Sequence, residues 1–170
     1  MASREAVYGV PPPALAMAGT GALQLSPLIP QSAELETLGD ASLDRVVVAA
    51  PQGTLERRYV LAHALRSLRE AGELIALAPK DKGGGRLRSE LESFGCAVSE
   101  SARRHQRICV ALRPGAPQAI DEAIALGSLQ VAPQLNLWSQ PGVFSWDRVD
   151  PGSALSVSYT HLTLPTKRIV

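Results

Sequence analysis

The sequence is poor in aromatic residues and in cysteine. Only 4% of its 170 residues are aromatic, although 45% are hydrophobic. Its core must therefore consist of aliphatic side chains and alanine, and an aromatic cage for a cofactor is not expected. The two cysteines, Cys96 and Cys109, have no C-x-x-C spacing, so disulfide, redox and metal sites lack support. A reducing, cytoplasmic location is the default expectation.

Long apolar runs, export signals and a charge excess are also missing. The longest clean apolar run, residues 46–50, is far below the roughly 18 residues of a membrane span, so no membrane partner is expected. An acid beside the first base and three prolines at residues 11–13 argue against a signal peptide. The formal net charge of +1 argues against a surface that coats nucleic acid, but it allows local clusters of charge.

Short apolar runs alternate with helical patterns in the middle of the chain. Residues 43–50 and 74–78 predict buried strands, because β-branched and aliphatic residues follow one another there and turn residues end each run. Residues 96–100 and 108–112 predict a less clear pair of strands around a polar segment. The alternation predicts an α/β fold, a degenerate Rossmann-like three-layer sandwich with a mostly parallel sheet.

The clearest predicted helix spans residues 55–71. Thr54 is its expected N-cap, and Gly72 is expected to end it. Leu61 and the leucines that follow it at helical spacing predict the buried face, whereas Arg57 is placed elsewhere on the helical wheel. Two further helices are predicted, at residues 86–94 and 118–126.

The domain organisation follows from these elements. Residues 1–40 predict a loose arm with a short edge strand at residues 23–26 and a weak helix at residues 32–38. Residues 41–115 form the predicted α/β core. Residues 116–155 predict a helix and a turn-rich linker, with a domain boundary near 115–135.

Residues 156–170 do not look like natural protein. The string VSYTHLTLPT at residues 157–166 matches one reading frame of a common transposase-type sequencing adapter. We therefore expect the natural reading frame to stop near residues 155–156, and we leave roughly the last fifteen residues, including His161, out of the functional reasoning. The alternative is a genuine disordered tail.

Basic side chains are concentrated between residues 80 and 107. There a strand end leads through Gly83–Gly85 into a helix, and backbone N–H groups at such a place suit phosphate. Neither a P-loop nor a G-x-G-x-x-G motif is present, so nucleoside triphosphate binding is not supported. The candidates for RNA phosphate contact are Lys80, Lys82, Arg86, Arg88, Arg103, Arg104 and Arg107. The alternative is a solvated loop and helix face.

Histidine and cysteine side chains receive structural roles. His63 lies between apolar neighbours in the predicted helix, which is typical of a buried histidine with satisfied ring nitrogens. His105, among three arginines, is a poor candidate for a general base. Cys96 and Cys109 are expected in the core. Without a G-x-S-x-G elbow, an H-E-x-x-H motif or metal-ligand spacing, no catalytic, cofactor-binding or metal-binding residue is predicted.

Two parts of the sequence carry a resemblance to a known family. SLDRVVVAAP at residues 42–51, taken with LIALAPKDKGG at residues 74–84, resembles the N-terminal domain of bacterial two-domain rRNA guanine-N2 methyltransferases. PGVFSWDRVDPGS at residues 141–153 is similar to the linker of that family, a G-V-F-S stretch followed by D-x-G-S. These are class I S-adenosylmethionine (SAM) enzymes that act on small-subunit rRNA. The resemblance covers roughly residues 5–155.

The resemblance implies a methyltransferase-type domain that has lost its own cofactor site. Neither an acidic Gly-rich turn nor an N-P-P-F-like motif occurs, and the counterpart at residues 49–52 lacks both the Asn and the aromatic residue. SAM would be bound only by the intact parent protein. The implied partners are rRNA or the small ribosomal subunit and a missing C-terminal catalytic domain.

The resulting prediction is an N-terminal fragment of a SAM-dependent rRNA methyltransferase. This part would support RNA binding and folding and would be inactive alone. One alternative is a stand-alone α/β protein-interaction module without enzymatic activity. Another is a small nucleotide-binding enzyme that uses Gly83–Gly85.

Overall fold

The structure is a computed structural model that describes residues 4–132 and 134–162. It divides into two units, residues 1–128 and residues 129–170. In the described part of the chain, no helix is both long enough and apolar enough to cross a membrane.

A six-stranded sheet forms the centre of the first unit, in the order β2-β1-β3-β4-β6-β5. The strands β1 to β4 run parallel, and β6 is antiparallel to both β4 and β5. The strands are β1 (Glu5–Tyr8), β2 (Leu23–Gln24), β3 (Leu43–Ala49), β4 (Leu68–Pro79), β5 (Val98–Arg103) and β6 (Gln106–Leu112). The predicted α/β fold with a mostly parallel sheet is confirmed.

Two helices pack on one face of this sheet, and a third helix packs against the first of them. They are α1 (Thr54–Ser67), α2 (Leu87–Ser93) and α3 (Ile120–Gly127), and short 3-10 turns occur at Leu35–Thr37 and Gly84–Arg86. Alternate strand residues such as Val46 and Val48 face the helices, because successive side chains of a strand point to opposite faces. Val47 faces the other way and packs with a non-helical segment that includes Ala16.

The second unit contains a short hairpin and a helix. Strand β7 (Gln130–Ala132) pairs with β8 (Leu137–Ser139), and α4 spans Pro151–Leu162. Asp150 caps α4, since its Oδ2 accepts a hydrogen bond from the Ser153 N–H at 2.8 Å. The D-x-G-S sequence is thus a helix start, and the turn-rich prediction missed β8.

Several predicted elements are corrected by the structure. The first forty residues are not loose, because β1 lies inside the sheet between β2 and β3. The predicted helix at residues 55–71 ends at Ser67, since β4 begins at Leu68 and Gly72 belongs to that strand. The predicted N-cap is also one residue off, because Gly53 is the N-cap and Thr54 is the first helical residue.

The remaining strand and helix predictions hold in position but not in extent. The weak helix at residues 32–38 is only the 3-10 turn Leu35–Thr37, and the strand expected at residues 96–100 runs from Val98 to Arg103. The interpretation of residues 156–170 as adapter stays a prediction, because α4 covers only part of that stretch and residues 163–170 lie outside the described residues.

Candidate nucleic-acid interface

The candidate site lies at the carboxyl ends of β3 and β4. In open α/β sheets this edge is where ligands bind, because the loops that leave the strands diverge there. Here the loop after β3 leads into α1, and the loop after β4 leads through three glycines into α2. Between them is a cavity of about 470 Å³, lined by Gln52, Thr54, Arg57, Lys80, Asp81, Gly83, Gly85 and Arg86.

A buried ion pair forms one wall of this cavity. The Arg57 guanidinium donates from Nε and Nη2 to the two carboxylate oxygens of Glu90, each at 2.7 Å. Both side chains are almost fully buried, at 1% and 8% exposure. Arg57 is four residues before Leu61 and therefore shares its buried face, which corrects the prediction that placed Arg57 elsewhere on the wheel.

The same guanidinium also fixes the loop after β3. Its Nη1 donates to the carbonyl oxygens of Pro51 and Gln52, at 3.1 and 2.8 Å. Its Nη2 reaches Thr54 Oγ1 at 3.4 Å. Arg57 thus holds together the end of β3, the start of α1 and, through Glu90, helix α2. Sequence reasoning missed this residue, although its i−4 spacing from a buried leucine was a usable signal.

The three glycines after β4 have different environments. A Cβ on Gly83 would lie 2.3 Å from Arg57 Nη1, and one on Gly84 would lie 2.5 Å from the Ala78 carbonyl oxygen. Packing therefore requires these two glycines. A Cβ on Gly85 would meet nothing closer than the Lys80 carbonyl oxygen at 3.8 Å. Gly85 presents its backbone to open space beside the cavity.

The structure brings five of the seven predicted cations to this edge. Lys80 and Arg86 line the cavity, and Lys82 lies between them in sequence. The Lys80 N–H donates to the His105 carbonyl oxygen at 3.0 Å, so the β5–β6 turn lies beside the loop after β4. This turn is flanked by Arg103 and contains Arg104. None of these five side chains forms an ion pair within residues 4–132 and 134–162.

The other two predicted cations form ion pairs with carboxylates. Arg88 pairs with Glu92 one helical turn later on α2, at 2.8 Å, and this hydrogen bond raises the pKa of Arg88. Arg107 pairs with Glu100 across the β5–β6 hairpin, at 3.1 Å. Their charge is locally balanced, which makes them weaker candidates for phosphate contact than the other five.

The residues at the end of β1 do not fit a SAM site. Tyr8 stands where an acidic turn would begin, and burial, followed by the nearby charges of Glu56 and Glu36, raises its pKa to about 12. Gly9 has a φ of +75°, and a Cβ there would lie 3.0 Å from the Ala49 side chain at the end of β3. Glycine is therefore required where β1 ends beside β3.

The end of β3 also does not fit a methyl-accepting amine. The carbonyl oxygens of Pro51 and Gln52 each accept one hydrogen bond from Arg57, which uses one of the two lone pairs of each oxygen. No side chain of residues 49–52 replaces the Asn of an N-P-P-F-like motif. We derive no chemical step through SAM for this chain.

His63 is buried but not satisfied, which corrects half of its prediction. The residue is 3% exposed and its ring meets Tyr59 edge-on with 4.5 Å between centroids. Neither ring nitrogen has a hydrogen-bond partner in the described part of the chain. Burial, reinforced by Arg66, lowers the pKa of His63 to about 4. His63 therefore stays neutral at physiological pH and does not reach the cavity.

Cys96 and Cys109 are buried and unpaired, as the core prediction requires. Burial raises the pKa of each thiol to about 11, so neither is a reactive thiolate. Among the described residues, no group of three or more His, Cys, Asp or Glu side chains is placed to hold a metal ion.

Comparison with solved structures places this fold among methyltransferases. The T. thermophilus 16S rRNA N2 G1207 methyltransferase (RsmC), in complex with AdoMet and guanosine, matches with a TM-score of 0.58 and 26% identity. The match covers 82% of this chain and 38% of that protein. The Geobacter metallireducens precorrin-6y C5,15-methyltransferase matches with a TM-score of 0.41 and 17% identity, over 55% of this chain and 54% of the other.

The match to the rRNA methyltransferase assigns the chain the Rossmann-like fold of class I SAM-dependent methyltransferases. No family model and no curated protein sequence matches the chain. The chain spans only about 38% of the length of the rRNA methyltransferase that it resembles.

Proposed function

We propose that this chain is the N-terminal part of a SAM-dependent methyltransferase that modifies a guanine of small-subunit rRNA. The observation that carries the proposal is the match to the T. thermophilus enzyme, which extends over 82% of this chain at 26% identity. In this proposal the chain contributes RNA contacts and supports folding of the parent protein, and a separate catalytic domain binds SAM.

The charge distribution supports a role in RNA binding. Five cations without ion-pair partners among the described residues lie at one edge of the sheet, although the whole chain is close to neutral. An RNA strand offers a regular row of phosphates, and each phosphate neutralised by Lys or Arg releases condensed counterions. We name these residues the basic edge: Lys80, Lys82, Arg86, Arg103 and Arg104.

A binding titration tests this proposal. The affinity of the chain for a single-stranded oligoribonucleotide is measured by fluorescence anisotropy at several salt concentrations. Replacing all five basic-edge residues by glutamine should abolish most binding and reduce the magnitude of the slope of log K against log salt by up to about 3.5. The matched control replaces Arg88 and Arg107, which already have carboxylate partners, and should change the slope much less.

A protein-interaction module is the second candidate function. It is favoured by large exposed apolar side chains in the second unit, among them Trp138 at 70% and Phe144 at 81% exposure. Exposed apolar surface of this kind is typical of docking sites. If the wild-type chain does not bind RNA at low salt, or if the five-residue variant binds as well as the wild type, this second candidate replaces the first.

A further inference from the structure

The cavity at the carboxyl edge has three properties that the basic edge as a whole does not require. It is a partly open recess of about 470 Å³. Besides the ion-paired Arg57, it is lined by two cations, Lys80 and Arg86, that come from opposite ends of one loop. It also has polar hydrogen atoms without acceptors in its wall. These properties together indicate an anionic ligand with hydrogen-bond acceptors.

The charge inside the recess is positive. The Arg57 charge is cancelled by the Glu90 carboxylate. Lys80 and Arg86 remain, and Asp81 opposes one of them. Arg86 is also positioned, because its Nη1 donates to Thr54 Oγ1 at 3.4 Å. The recess therefore favours an anion over a neutral or cationic ligand.

The Thr54 hydroxyl has a hydrogen atom to donate. Its oxygen already accepts hydrogen bonds from Arg57 Nη2 and Arg86 Nη1, both at 3.4 Å. A hydroxyl group has two lone pairs and one hydrogen, so both lone pairs are used and the hydrogen is directed elsewhere. Thr54 lines the recess, and a ligand oxygen there is a suitable acceptor.

The backbone of Gly85 offers a second donor. Within the loop, Lys82 N–H donates to Pro79 O and Arg86 N–H donates to Gly83 O. The Gly85 N–H has no acceptor in the described part of the chain. Because Gly85 lacks a side chain and faces open space, a ligand oxygen can approach its backbone closely.

We propose that this recess seats one phosphate group of an RNA strand, with charge from Lys80 and Arg86 and hydrogen bonds from the Thr54 hydroxyl and the Gly85 N–H. Oxygens of a phosphate carry both the charge and the acceptor lone pairs that these four groups require. The inference rests on the proposed RNA-binding function and deepens it, because it assigns one phosphate to a defined seat and leaves the other cations to nonspecific attraction.

Single substitutions separate a seat from a diffuse surface. Lys80→Gln and Arg86→Gln remove cations that line the recess, whereas Lys82→Gln removes an adjacent cation that does not line it. Each variant is first shown to unfold in urea like the wild type. Binding is then followed by the fluorescence anisotropy of an oligoribonucleotide that carries its fluorescent label at the 3′ end and none at the 5′ end. We expect a loss of affinity of about tenfold or more for the first two variants and about two- to threefold for the third.

The possible outcomes are distinct. Equal losses for all three variants, with wild-type binding intact, would overturn the seat and leave the proposed function standing. Absence of wild-type binding would overturn both. Thr54→Val adds a readout without any change of charge, and we expect it to weaken binding at high salt as well as at low salt. A Thr54→Val affinity equal to that of the wild type would contradict the hydroxyl contact.

The source of the phosphate is identified by the probe. Oligoribonucleotides that end in a 5′-phosphate or in a 5′-hydroxyl are compared on the wild type and on Arg86→Gln. An equal loss with both probes assigns the seat to an internal phosphodiester. A loss confined to the phosphorylated probe assigns it to a terminal phosphate.

Discussion

Replacement of Glu90 by glutamine tests whether the buried ion pair with Arg57 stabilises the fold at the carboxyl edge. The substitution keeps the shape of the side chain but leaves the guanidinium buried without a counter-charge. It also turns one of the two accepting oxygens into an N–H donor that faces Arg57. Removing one partner of a buried pair costs about 3–5 kcal/mol, a large part of the roughly 5–15 kcal/mol that stabilises a folded domain.

The assay is urea unfolding followed by far-UV circular dichroism. With an m-value of about 1–3 kcal/mol per molar, the expected loss lowers the midpoint by at least about 1 M. Glu92→Gln is the matched control, because it makes the same change on the same helix in a pair with Arg88 of similar length, 2.8 Å. That pair is exposed, so the midpoint should not change measurably.

Equal midpoints for the two variants would refute the reasoning about burial. If Glu90→Gln does not fold, the double variant Arg57→Met with Glu90→Leu is measured instead. Replacing both charges by apolar groups removes the penalty of an unpaired buried charge, so the double variant should fold. A double variant that also fails to fold would contradict the assignment of the cost to the unpaired charge.

Two further predictions concern other features of the first unit. His63 has a pKa of about 4 when folded and 6.5 when unfolded, so its contribution to stability is present above pH 6.5 and is lost as the pH falls toward 4. As the pH falls from 6.5 to 4, the free energy of unfolding of His63→Phe should therefore rise by up to about 3 kcal/mol relative to that of the wild type. Parallel pH profiles of the two proteins in urea unfolding would contradict this. Gly84→Ala should lower the midpoint clearly, because its Cβ meets backbone oxygen at 2.5 Å, whereas Gly85→Ala should not; similar midpoints would argue against the packing requirement.

The strands that contain a local apolar run could be predicted from the sequence. Residues 46–50 and 74–78 are continuous apolar runs, and both belong to central strands. β1 was missed because it has only four residues and is followed by a proline-rich segment. Its place in the sheet depends on non-local pairs, including Glu5 with Arg45, which also binds Glu73 on β4.

The end of α1 shows how tertiary pairing overrides local propensity. Arg69 and Glu70 favour a helix, and Gly72 is a typical helix terminator. The chain nevertheless leaves the helix at Ser67, because Leu68 pairs with Leu43 at the start of β3. That pairing joins residues far apart in sequence, so no local pattern could have indicated it.

The candidate site was predictable in composition but not in arrangement. The sequence identified all seven cations, and the Arg88 pair with Glu92 follows from helical spacing alone. The Arg107 pair with Glu100 depends on hairpin register, and the meeting of Lys80 with the β5–β6 turn depends on sheet order. The recess itself depends on Arg57, whose buried pairing partner lies on another helix.

In the proposed function this edge binds RNA, and its charge suits phosphate better than SAM. SAM carries a positively charged sulfonium, which a recess lined by Lys80 and Arg86 disfavours. Gly9 packs closely beside Ala49 where β1 ends, whereas Gly85 in the loop after β4 faces open space. Arg57, held by Glu90, donates hydrogen bonds to the carbonyl oxygens of the loop after β3 and thereby fixes the wall of the recess. In the proposed function, this loop geometry supports a seat for phosphate.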